Sequence, residues 1–155
     1  MSLDEKRGEL IRQALERGGF NPRNSPMEGE SYRFFIQSMK NSEKETMEVY
    51  KKRNSDLIVF SGTVFLAPRH YEKYRNLDVD IRKKFDDKLN EILNIKSLSH
   101  DITEDERGFG VWINDTVDHN ELNNQSLSRC LSNVIDIQVN VYNFFMDFFY
   151  DKITL

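Results

Sequence analysis

The side chains best suited to catalysis or metal binding are three histidines, His70, His100 and His119, and one cysteine, Cys130. His100-Asp101 and Asp118-His119-Asn120-Glu121 set an imidazole beside carboxylates, which are zinc-binding donor types. Local zinc motifs space their ligands as Cys-x2-Cys or His-x3-His, and the sequence contains neither. All three histidines sit among polar residues and are expected to be solvated loop groups. A nucleophilic cysteine needs a base and an oxyanion site beside it. Cys130 adjoins Leu131 in an apolar periodic segment, which explains it as a buried core thiol. The acidic group Asp101, Glu104, Asp105 and Glu106 lacks the register of a calcium loop, because Gly108 does not fall at the sixth position from Asp101. Gly108-Phe109-Gly110 lacks a third glycine and leads into a strand, so it does not cradle phosphate. These patterns nominate no catalytic residue, no metal site and no cofactor.

The cations are diluted. The runs Lys51-Lys52-Arg53 and Arg82-Lys83-Lys84 lie near Glu48 and Asp86-Asp87, and 22 Lys+Arg stand against 26 Asp+Glu for a net charge of −4. A nucleic-acid-binding domain carries a basic footprint, and this balance argues against one. A single cysteine forms no internal disulfide and fits a reducing cytoplasm. No apolar leader follows Met1. The most apolar stretch, Val134 to Tyr150, is interrupted by Asp136, Gln138, Asn140, Asn143 and Asp147, so no membrane span is expected.

With 155 residues the chain is expected to form one domain, residues 1–155, large enough to bury a core. Leu3 to Arg17 has helical apolar spacing, a capping Ser2 with Glu5 three residues on, and a Gly18-Gly19 stop. Ser31 to Lys40 and Glu45 to Arg53 alternate with period two, joined by a turn at Asn41-Ser42-Glu43-Lys44. In the second, Met47 and Val49 share one face. Asp56 to Ala67 is β-branched and aromatic, the expected central strand of an antiparallel meander. Arg69 to Asn76 reads as a helical turn or short helix and Val79 to Ile95 as an amphipathic helix capped by Asp78. Leu98 to Thr103 and Phe109 to Val117 read as strands about a turn at Glu104-Asp105-Glu106-Arg107-Gly108. After a polar loop from Asp118 to Asn124, Gln125 to Lys152 reads as one long helix, capped by Asn124 or Ser126. Grouped strands separated by helices predict an α+β fold with a five-stranded antiparallel twisted sheet, in the order αβββαββα.

This layout, over Leu3 to Lys152, resembles the class I type III secretion chaperones, small acidic cytoplasmic proteins. It is also similar to small archaeal families of unknown function with the same fold. The segments that carry the likeness are the meander Tyr32 to Ala67, the helix Val79 to Ile95, the hairpin Leu98 to Val117 and the aromatic last helix. The resemblance implies a homodimer that binds extended segments of a partner protein, with no catalytic residue.

From Val134 to Tyr150, 12 of 17 residues are apolar, more than one stripe against a sheet requires. Leu131, Phe145 and Phe149 are expected on the core side. Phe144 and Phe148, one turn apart, are expected at a dimer or partner interface. The sequence thus favours a non-catalytic, chaperone-like protein-binding module acting in the cytoplasm, with a protein or peptide partner. The competing class is a small enzyme or ligand-binding protein with a pocket between sheet and helices.

Overall fold

The computed structural model describes residues 1–39, 44–106 and 108–150. The turn expected at Asn41-Ser42-Glu43, the strand end at Lys40, Arg107 of the second turn and the helix end at Lys152 lie outside the described residues. The elements run α1 (Leu3–Arg17), β1 (Arg23–Asn24), β2 (Glu30–Ile36), β3 (Met47–Lys52), β4 (Leu57–Phe65), α2 (Pro68–Arg75), α3 (Val79–Leu93), β5 (Ser99–Asp105), β6 (Gly108–Asp118) and α4 (Asn124–Phe149). A one-turn 3-10 helix at His119–Glu121 precedes α4.

The fold is α+β, and its sheet is antiparallel throughout, in the order β1-β2-β3-β4-β6-β5. This corrects the expected five strands and their order. The sixth strand, β1, is only Arg23 and Asn24, paired with Phe35 and Phe34. Two residues carry no periodicity, so this pairing is a tertiary event invisible to an alternation pattern. Pro22 and Pro26 flank it at the sheet edge, where a missing N–H costs nothing. The order also gains α2 as a separate helix, packed beside β6.

Local signals set the helix ends. Ser2 Oγ accepts from Glu5 N, and Asp78 caps α3 through Ile81 N. The cap of α4 is Asn123 rather than Asn124 or Ser126. Ser126 is the third helical residue and completes the capping box. β5 and β6 reach further than expected: β5 runs to Asp105, which pairs with Gly108 at the start of β6, and Gly108 holds φ +116°, which glycine adopts without a β-carbon clash.

The helices cover one face of the sheet. α1 lies on β2, α4 on β4 and β6, and α3 on α4. Between them sit Phe34, Met47, Ile58, Phe60, Val111 and Ile113, all buried. Gln138 of α4, itself fully buried, joins layers: its Nε2 donates to the Thr46 and Thr63 carbonyls at 2.9 and 3.1 Å, and its Oε1 accepts from Ser38 Oγ at 2.8 Å. This satisfies the amide where an orphan would be costly. Leu131, Phe145 and Phe149 are buried, as the sequence led us to expect.

Candidate interaction surface

Strand alternation puts Arg33, Phe35, Glu48, Tyr50, Ser61, Thr63, Phe65, Gly110 and Trp112 on the other face. Among the described residues no helix packs there. One half of this face covers itself. Arg33 donates from Nε and Nη2 to Glu30 (2.8 and 2.6 Å) and from Nη1 to Glu48, and its guanidinium stacks 4.0 Å above the Tyr50 ring. Arg23 stacks 4.5 Å over Phe35 and bonds Glu45 at 2.7 Å. The bonds from Arg33 hold the Glu30 carboxyl below the usual range. Arg33 is therefore buried on a face that no helix covers.

The other half is apolar and open. Phe65 meets Trp112 edge to face, with centroids 6.3 Å apart, and lies across Gly110, where a β-carbon would run into its ring. Phe65 remains 41% exposed. It also lines a groove of about 700 Å³ that runs past the sheet end, where Met39, Thr63, Pro68 and Tyr142 form its walls.

A polar corner lies under the first turn of α1. Lys51, a cross-strand neighbour of Tyr32, is fully buried, and its Nζ bonds Asp4 Oδ2 at 2.9 Å. Ser31 Oγ donates to the same oxygen at 2.7 Å. Burial pushes the Asp4 pKa up, but the hydrogen bonds from Ser31 and Lys51, with the lysine's charge, hold it below the usual carboxyl value. Arg7 bonds His119 Nδ1 and Asn120 Oδ1, each at 3.1 Å. An arginine is always a donor, so His119 Nδ1 is the acceptor of that contact, and its Nε2 lies 3.5 Å from Asp56.

The histidines are therefore not solvated loop groups, and this expectation is corrected. His70 is buried in α2 against Phe149, with centroids 5.5 Å apart, and burial lowers its pKa. His100 is half-buried on β5, and His119 is half-buried in the corner just described. Flanking residues in sequence misled because neighbouring positions on a strand or helix face different ways. The structure does not bring the three together, and no group of three or more His, Cys, Asp or Glu among the described residues could hold a metal ion. Cys130 is buried in α4, where burial raises its pKa to about 11, so the thiol stays protonated and unreactive at neutral pH. Of the acidic group, Glu104 accepts from Tyr71 at 2.9 Å and faces Arg82 at 3.5 Å.

Phe144 and Phe148 are half-buried, each 5.0 Å from the ring of Phe85 on α3. Phe85 also meets Tyr74, Phe109, Phe145 and Phe149. The second apolar face of α4 thus packs largely against α3 of its own chain. Sequence reasoning passed over Phe65 and Lys51 as site residues. For Lys51 the signal was present: it has the same parity as Met47 and Val49, so the strand carries it inward.

The geometry defines a two-layer α+β fold, helices on one side of a sheet whose other face is partly bare. The chain belongs to the family of uncharacterized conserved proteins DUF2299, whose model matches residues 8–145. A crystal structure of an uncharacterized protein from Methanothermobacter thermautotrophicus is similar in fold, with a TM-score of 0.76 at 19% identity, over 91% of this chain and 97% of that one. No curated protein matches the chain. Among the described residues no helix is long and apolar enough to cross a membrane.

Proposed function

We propose that this chain is a non-catalytic, cytoplasmic protein-binding module, chaperone-like in taking an extended partner segment at the Phe65–Trp112 corner and the adjoining groove. The observation that carries the reading is Phe65: a large aromatic side chain, 41% exposed, that joins a bare sheet face to an apolar groove of about 700 Å³. Contiguous exposed apolar surface of this kind marks interaction sites, and aromatic anchors in grooves dominate binding energy. A photo-crosslinking phenylalanine analogue at Tyr142, inside the groove, should give a discrete protein adduct in native cells. The same group at Asp56, exposed at the opposite end of β4 from Phe65, should not. Equal labelling from both positions, or none from Tyr142, counts against the reading.

A second reading is a homodimer through the exposed edges of Phe144 and Phe148. Its supporting observation is Ile81, 42% exposed and one turn before Phe85 on α3. Changing Ile81 to Glu leaves the core intact and should convert a dimer to a folded monomer in light scattering. A wild type already monomeric at tens of micromolar ends this reading.

A further inference from the structure

The run Lys51-Lys52-Arg53 is split by the strand that carries it. Lys51 turns inward to Asp4, while Lys52 and Arg53 stay outside at the end of β3. These two line a cleft of about 600 Å³, opposite the turn at residues 27–30. It lies at the β3–β4 hairpin end of the sheet, away from the Phe65 groove. The cleft is preformed. Arg53 N donates to the Gly29 carbonyl at 2.9 Å, Glu30 N to the Met27 carbonyl at 3.1 Å, and Met27 N to Glu30 Oε1 at 2.8 Å. Gly29 holds φ +82° there, a value that side-chain-bearing residues rarely adopt.

The charges are unevenly spent. Arg33, Lys52 and Arg53 line the cleft against Glu28 and Glu30. Glu30 is committed to Arg33 and to Met27 N. Among the described residues, neither Lys52 nor Arg53 has a carboxylate within 4.0 Å. Other cations of this chain, among them Arg12, Arg23, Lys51 and Lys96, do have one. Arg33 uses its Nε–H and one N–H on each terminal nitrogen, which leaves two of its five donors unspent. Two adjacent unpaired cations over a largely buried guanidinium make a donor set suited to a carboxylate or phosphate group.

We propose that this cleft binds an oxyanion, held by Lys52 and Arg53, with Arg33 at its base. The proposal is independent of the protein-binding reading. Amide shifts of the full chain, titrated at constant ionic strength with inorganic phosphate and separately with acetate, test it. Saturable shifts confined to Gly29, Glu30, Arg53 and Asn54 are expected. Saturation by phosphate alone assigns a phosphate group, by acetate alone a carboxylate, and by both a general oxyanion site. Lys52→Ala with Arg53→Ala, both exposed and safe for the fold, should weaken binding by roughly tenfold or more. Glu28→Gln, which removes the opposing charge, should tighten it about twofold. Shifts that are linear or scattered over the surface, or that persist unchanged in the Lys52/Arg53 variant, overturn the proposal.

Discussion

Gly62 and Gly110 stand on opposite faces of the same sheet, and each leaves room for a side chain that lies across it. At Gly62 the neighbours come from a helix: an added β-carbon would sit 2.6 Å from Gln138 Cδ and 2.7 Å from Val134 Cγ1, both on α4. At Gly110 the neighbour is Phe65, from the adjacent strand. The covered face owes its burial to a second layer held by a satisfied amide and an aromatic cluster. The bare face has only its own side chains, ion-paired at one end and apolar at the other. The first arrangement builds a fold. The second leaves apolar surface accessible, and there we place binding.

If the covered face carries the stability, its centre should be the most sensitive point. Phe85→Ala empties the middle of the ring cluster and should cost about 3–5 kcal/mol in chemical denaturation. A loss below 1 kcal/mol would break the contrast between the faces. Asp4→Ala comes next, because it leaves the buried Lys51 ammonium without its carboxylate. A cost of about 3 kcal/mol is expected, at the low end for a broken buried pair because Asp4 itself is partly open. Adding Lys51→Met to that variant should recover most of the loss.

The same pair sets the acid limit. Asp4 and Glu30 both have native pKa values below their ordinary ones. The stability they contribute is full above the ordinary carboxyl range of about 4 and is lost as pH falls through the lower native values. Acid titration of the melting temperature should show that loss in wild type and a smaller one in Asp4→Ala.

The two glycines sharpen the comparison at the smallest scale. Gly62→Ala forces a side chain into α4 and should cost about 1–3 kcal/mol. Gly110→Ala meets a ring that can swing toward solvent and should cost about 0.5–1 kcal/mol. Equal costs would mean that Phe65 is as fixed as the helix layer.

Much of this architecture was legible in the residues. Ser2 and Asp78 announced their helices through capping chemistry, and the β-branched run at Leu57 to Leu66 announced the central strand. β1 was not legible, since two residues have no period. The histidines were misread because local polarity says nothing about which way a strand or helix turns a side chain. The excess apolar surface of α4 was visible, but its chief partner, Phe85, lies on another helix some sixty residues earlier in the chain. The Phe65–Trp112 corner depended on knowing which face the helices leave bare, and that is a property of the assembled sheet.

The central claim, that the bare corner binds while the covered face folds, meets its most direct test in the Tyr142 photo-adduct measured with and without Phe65→Ser, alongside the melting temperature of each. The account predicts a discrete adduct that disappears in the Phe65→Ser protein while melting falls by only a few degrees, as expected for the loss of one partly exposed ring. An adduct of undiminished yield in a folded Phe65→Ser protein would contradict it.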